Sequence, residues 1–421
     1  MTELDSAAAS RLDAFREPSF CFYLPARFAS AIGSSIVRAA LAWQVYQLTG
    51  SALHLGFLGL VEFVPTLLLS LLAGAYADAH DRVRIVRITQ TVALGVTLAL
   101  FWTTAEQTAT VATIYALVVV HSIAMAFEHP AASSILPTLV PRSVFPHAVT
   151  ISSSVRNAGR LAGPAIFGFV AHSYDVAATY VVGAALTAVA LAGYVFVRSK
   201  YGAPERRPPS LESVFEGLRF VRSRPAILGA MTLDMVAVIF GGAVALLPIY
   251  AEILELGPRG YGVLAASLDA GTILVGLTLI VLPPIRRAGR AMLIAVAGFG
   301  LATILFGISR EFWLSVTAMV LAGMSDGLSM VARQMLIQLG TPDRLRGRVS
   351  SVNMLFISAS NELGAAESGL LAAATSATFS VVFGGAVCLV ALALAAVLVP
   401  ALRDHDLAND DPEADADQNS A

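Results

Sequence analysis

Long apolar stretches separated by short polar breaks run through almost the whole chain. Twelve of them reach the roughly 20 residues that a helix needs to cross a bilayer. They cover residues 20–47, 54–77, 84–104, 109–135, 146–172, 177–198, 225–252, 260–284, 291–309, 312–339, 347–374 and 378–401. Backbone amides and carbonyls meet no water inside a bilayer, so each run is predicted to be helical. The pattern also repeats: Pro141, Ala158, Gly163 and Gly168 recur as Pro342, Ala359, Gly364 and Gly369, each pair 201 residues apart. Both copies place a polar turn at a proline before an apolar helix with spaced small residues, as expected of two related halves.

The longest polar break, 199–224, falls between the sixth and seventh runs. It opens with Lys200-Tyr-Gly-Ala-Pro-Glu-Arg-Arg-Pro-Pro, a linker by its proline and charge content. Leu211, Val214, Phe215, Leu218 and Val221 then recur near helical spacing after Ser210, an N-cap residue type. Arg219 and Arg222 fall near the end, where cations suit the helix dipole. Two readings fit: an amphipathic helix on the inner leaflet, or a solvated connector. The expected plan is a cytoplasmic segment 1–17, a six-helix bundle 18–198, the linker 199–224, a second bundle 225–402 and an acidic, disordered tail 403–421.

Composition sets the solvent. The chain is 57% hydrophobic and 13% charged, where a soluble domain carries about 25% charged residues. This is the signature of an all-α membrane protein. A net charge of −2 provides no global field for nucleic acid. Cys21 and Cys388 are the only cysteines, so neither a disulfide framework nor metal spacing exists. The polar first nineteen residues lack the apolar core of a cleaved signal peptide. With both termini in the cytoplasm, the inner segments hold most of the 27 Lys and Arg residues, and the outer loops only Arg259 and Arg310. That asymmetry predicts a multi-pass protein with cytoplasmic termini.

Charged groups inside spans are costly in lipid and are functional candidates by default. Arg38 and Glu62 fall in the first and second runs, Asp234 in the seventh, Asp326 and Arg333 in the tenth, Glu362 and Glu367 in the eleventh. Asp326 and Arg333 are seven apart, hence on one helix face about 10.5 Å apart along the axis. Enclosed carboxylates can take up a proton on one side and release it on the other. An arginine keeps its charge and can hold an anion or bias a neighbouring carboxylate. Glu62, Asp234 and Asp326 are the leading candidates for proton coupling or substrate contact, with Arg38 and Arg333 as their cationic partners. The alternative for each is an interhelical ion pair that fixes packing. That alternative weighs more for Arg27, Glu128, His129, Arg156 and Arg160, near the inner ends. Trp43, Tyr46, Phe240 and Tyr250 fit either a cavity lining or core packing.

The break between the second and third runs reads Gly74-Ala-Tyr-Ala-Asp78-Ala-His-Asp81-Arg82-Val-Arg84. Gly74 permits close helix approach, Asp78 can pair with an arginine or face a helix N-terminus, and Arg82 and Arg84 suit the cytoplasmic surface. The segment resembles the signature loop of the major facilitator superfamily, with Ala79 where that family has a basic residue and Asp81 where it has glycine. Asp81-Arg82 is similar to the branch of transmembrane secretion effectors that includes the enterobactin exporter and macrolide efflux proteins. Tyr46-Gln-Leu-Thr49-Gly-Ser51-Ala, Glu216-Gly-Leu-Arg219, Arg333-Gln-Met-Leu-Ile-Gln338, Arg346-Gly-Arg348-Val and Asn361-Glu362-Leu-Gly364 resemble that branch too. Gly159-Arg-Leu-Ala-Gly163-Pro164-Ala-Ile-Phe-Gly168 resembles the superfamily's antiporter motif, with Phe167 replacing the first of its paired glycines.

The resemblance implies twelve helices in two six-helix bundles and alternating access by rocking. It also implies a cytoplasmic gate built from Gly74, Asp78, Asp81, Arg82, Arg84, Arg346 and Arg348. The expected activity is export of a small amphipathic molecule (drug, macrolide or siderophore) in exchange for protons by a monomer. The alternatives are proton-coupled nutrient uptake and a non-transporting accessory or sensor protein. The only lysine, Lys200, follows no glycine-rich loop, so no nucleotide site is expected. Gly323-Met-Ser325-Asp-Gly327 matches a nucleophile elbow by letter but lies inside a span. Neither enzymatic activity nor a cofactor or metal is expected.

Overall fold

The computed structural model describes residues 13–201, 211–283 and 285–403, with the side chains of Leu71, Asp78, Asp343, Arg344 and residues 211–214 outside the description. Most of the expected segment 1–17, part of the linker and the tail beyond Arg403 therefore lie outside the described residues. The helices are α1 (Pro18–Thr49), α2 (Ala52–Ala79), α3 (Arg82–Ala105), α4 (Val111–Ile135), α5 (Phe145–Ser173) and α6 (Val176–Phe196). They continue as α7 (Leu211–Ser223), α8 (Pro225–Phe240), α9 (Leu247–Ile253), α10 (Gly257–Val281), α11 (Ala288–Ile308), α12 (Phe312–Leu339), α13 (Asp343–Ala374), α14 (Ala377–Leu398) and the short α15 (Pro400–Arg403).

Ten segments among the described residues are long and apolar enough to cross a membrane, with Pro225–Ile253 counted as one. The helices α5 and α13, of 29 and 32 residues, are long enough but more polar. Several starts are set by side chains that satisfy otherwise unpaired backbone amides. Asp81 caps α3 by accepting from Val83 N and Arg84 N. Thr110 caps α4, Asp175 caps α6 and Ser376 caps α14. Asp175 and Ser376 are also 201 residues apart, so the sequence repeat extends to a helix cap.

The apolar run 225–252 is not one helix. It breaks after Phe240 at Gly241 and Gly242, passes through a 3-10 turn, Ala243–Leu246, and resumes as α9. The glycines allow close approach there: a Cβ on Gly242 would lie 2.6 Å from Ser368 Oγ and 2.9 Å from the carbonyl oxygen of Gly364.

The chain forms two compact units, Met1–Thr49 with Val61–Pro209 and Gly50–Leu60 with Ser210–Ala421. In the first, α1 packs along α5 and α6, while α3 packs along α4 and α6. In the second, α8 packs along α13 and α14, while α11 packs along α12 and α14. The second unit thus repeats the neighbour scheme of the first. The start of α2 belongs to the second unit, where Gly56 meets Gly369 of α13; a Cβ on Gly369 would sit 2.6 Å from Gly56 Cα.

Candidate transport site

In the second unit, Asp234 of α8 and Arg333 of α12 form an ion pair, with side chains only 9% and 6% exposed. The Ser329 hydroxyl, one turn before Arg333, donates to Asp234 Oδ1 at 3.4 Å. Asp234, Ser329 and Asp326 line a small cavity with Ala237, Val238, Val296 and Phe299. Asp326, Ser329 and Arg333 stand at i, i+3 and i+7, so helical periodicity alone puts them on one face. The arrangement gathers two carboxylates, a hydroxyl and a fixed cation within apolar walls. Such a group can exchange a proton for a cation contact, or hold a polar group of a ligand.

In the first unit, Arg38 of α1 and Glu62 of α2 approach to 3.8 Å, but the Arg38 side chain is 72% exposed and that of Glu62 18%. His121 of α4 lies within the electrostatic reach of both. Thr66 Oγ1, one turn beyond Glu62, donates to Glu62 O at 3.0 Å and to Ser122 O at 3.4 Å, tying α2 to α4 at this level.

A third polar group was not singled out as a cluster by sequence. The Glu128 carboxylate of α4 is buried and accepts from Thr89 Oγ1 at 2.9 Å and from Gln90 Nε2 at 2.8 Å. Gln90 Nε2 also donates to Ser30 Oγ at 3.0 Å, and the Arg27 charge acts on the carboxylate. Neutral partners such as Thr89 and Gln90 carry no charge signal in a sequence, so only the packing of α3 on α4 reveals them.

Glu362 and Glu367 lie elsewhere on α13. Glu362 Oε2 comes close to Gly59, at 3.3 Å from where its Cβ would be. Glu367 accepts from Ser368 Oγ at 3.3 Å. Gly364 faces the end of α8, where a Cβ would sit 2.7 Å from Val238 O. Of the aromatic candidates, Tyr250 is fully buried and its hydroxyl donates to Gly307 O at 3.1 Å. Trp43 and Tyr46 are buried too.

The gate candidates separate. Gly74 is half-buried, and the Asp78 side chain is outside the described residues. Asp81, which departs from the superfamily pattern, works as the cap of α3, with 2.9 Å to Val83 N. Arg82 Nη1 reaches Ser134 O at 3.4 Å, and Arg84 is exposed. Arg348 pairs with Glu216 of α7, and Arg346 is half-buried.

The glycine positions of α5 are close-packing points against α1. A Cβ on Gly159 would lie 2.7 Å from Ala31 Cβ, and one on Gly163 would lie 2.6 Å from Ser35 Oγ. Gly168 is buried. Pro164 has no amide to offer Arg160 O, four residues earlier. The Ser35 hydroxyl fills that role, donating to Arg160 O at 3.1 Å.

The family profile described as transmembrane secretion effector matches residues 9–420. The chain is 27% identical over 404 residues to the multidrug efflux pump Tap of Mycolicibacterium fortuitum, covering 91% of this chain and 96% of that protein. It is 24% identical over 336 residues to the enterobactin exporter EntS of Escherichia coli, covering 80% of each. In fold it is similar to the crystal structure of a bacterial homologue of the human lysosomal transporter Spinster, with a TM-score of 0.73 at 17% identity over 93% of this chain and 99% of that one. The crystal structure of the nucleoside transporter NupG gives a TM-score of 0.64 at 14% identity over 94% of this chain and 100% of that one. With a family match spanning nearly its whole length and the helical fold of these transporters, the chain belongs to the transmembrane secretion effector family of the major facilitator superfamily.

Proposed function

We propose that this chain is a secondary transporter of the bacterial inner membrane that exports a small amphipathic molecule, such as a drug, macrolide or siderophore, in exchange for protons. The observation that carries the reading is the buried Asp234–Arg333 pair, with Ser329 and Asp326 beside it. Relatives named a multidrug efflux pump and an enterobactin exporter support export as the direction. A proton on Asp234 competes with Arg333 for the carboxylate. Once Asp234 is neutral, Arg333 is an uncompensated buried cation, a state costly by about 3–5 kcal/mol. Opening of the site to water relieves that cost, so protonation breaks the pair and releases a substrate polar group held beside the ionised Asp234. Proton and substrate then exclude each other, as antiport requires.

In this reading α5 and α13 cross the membrane with the ten apolar segments, giving twelve spans in two bundles with both termini cytoplasmic. The working unit is a monomer. The test is drug accumulation in energised inverted vesicles. Asp326→Asn, and Asp234→Asn compared at equal amounts of folded protein because it strands Arg333, should abolish pH-gradient-driven transport. Transport that persists after collapse of the gradient overturns proton coupling, and full activity in both variants overturns the site.

A further inference from the structure

The short helix α7 has two faces in different company. One is docked. A Cβ on Gly217 would lie 2.8 Å from Arg348 O and 3.1 Å from Val352 Cγ2. Val221 is fully buried in a cluster with Ile227, Met231, Leu345, Val349 and Val352, and Glu216 pairs with Arg348. These contacts fix the rotation of α7 about its axis. The other face carries Phe215, Leu218, Arg219 and Arg222, spaced i, i+3, i+4 and i+7 and therefore in one stripe. Phe215 is 66% exposed and Leu218 40%, and both arginines are exposed. At 13 residues the helix is too short to span a bilayer. It rests where α8 begins at Pro225 and on the first turns of α13, which the topology proposed above puts at the cytoplasmic end of both helices.

We infer that this stripe seats on anionic lipid headgroups of the inner leaflet. An aromatic ring and a leucine enter the acyl boundary while two adjacent guanidinium groups meet lipid phosphates, the chemistry of an interfacial basic helix. The acidic tail 404–421 of this chain is the rival occupant. It offers seven carboxylates, but Leu407 is its only large apolar residue, so it matches the arginines and leaves Phe215 and Leu218 uncovered. The seat is coupled to the transport helices through the Glu216–Arg348 pair, because α13 also carries Glu362 and Glu367. This surface rests on the membrane topology proposed above, but not on the substrate or the proton coupling.

The experiment uses the full chain with Phe215→Trp, reconstituted in vesicles where either phosphatidylglycerol or phosphatidylcholine carries bromine, with wild type as the tryptophan background. Brominated phosphatidylglycerol is expected to quench the added tryptophan at least about twofold more than brominated phosphatidylcholine at equal content. Each arginine at an anionic surface contributes about fivefold in partitioning, so the R219Q/R222Q pair should remove an enrichment of about 30-fold and with it the preference. Leu218→Trp gives the same readout if Phe215→Trp fails to fold. Equal quenching by both lipids overturns the anionic preference, and quenching by neither overturns the membrane seat. Quenching that appears only after deletion of residues 404–421 assigns the stripe to the tail and overturns the proposal.

Discussion

The two arginine–carboxylate pairs use the same chemistry in opposite surroundings. Arg333 and Asp234 are sealed between α8 and α12 with a serine in support, whereas Arg38 and Glu62 stand 3.8 Å apart with the guanidinium largely open. Two buried charges gain from each other only because both have lost water, so removing one leaves the other at full desolvation cost. An open pair gains little, because water and ions screen it. The difference separates a latch, a buried pair that is costly to break, from a solvent-screened contact whose loss costs little.

The largest expected effect is therefore at the latch. Arg333→Ala should destabilise the protein by about 3–5 kcal/mol, read as a lowered thermal midpoint in detergent. Pairing Asp234→Asn with Arg333→Gln should restore most of it, since no bare charge remains. A single-variant loss no greater than that of Arg38→Ala would erase the distinction. Arg38→Ala itself should cost less than about 1 kcal/mol while strongly reducing export, a split between stability and activity that transport assays on equal amounts of folded protein would resolve. Unchanged export would reduce the Arg38–Glu62 pair to surface decoration.

The smallest effect concerns a third contact, outside the spans. Glu17 accepts from the Tyr201 hydroxyl at 2.7 Å and pairs with Lys200 at 3.1 Å, clasping the start of α1 to the segment that leaves α6. The Tyr201 hydrogen bond, followed by Lys200, holds the Glu17 carboxyl below its ordinary value of 4.5. A lowered folded value means the clasp contributes fully above about pH 4.5 and is lost as pH falls through that lower value. Wild type and Glu17→Gln should thus differ slightly in thermal midpoint at neutral pH and converge in acid. A gap that widens in acid contradicts the clasp.

Much of this was legible in the residues. Asp326 and Arg333 share a face because a helix returns every 3.6 residues. Leu211, Val214, Phe215, Leu218 and Val221 recur along α7 for the same reason, although their spacing could not say that Val221 would dock while Phe215 and Leu218 stayed exposed. The sequence marked both arginines as partners of carboxylates without assigning the partner. Glu62 is 24 residues from Arg38 and Asp234 is 99 from Arg333, separations at which no periodicity operates. Asp81 looked like a departure from a family pattern, and its backbone contacts show a helix cap.

The amino-acid order by itself determined that the chain is helical, that it belongs in a membrane, and that its halves repeat. Those properties follow from local rules: the cost of unpaired backbone in lipid, the length of a span and the placement of proline and glycine. Tertiary packing alone decided that the run 225–252 breaks where Gly364 and Ser368 press on Gly242, and that Ser35 takes the carbonyl freed by Pro164. It also decided that Glu128 finds Thr89 and Gln90 rather than a cation alone. Each of these depends on which helix lies beside which, and in an apolar solvent that choice is made by small residues and hydrogen bonds too sparse to leave a pattern in the sequence.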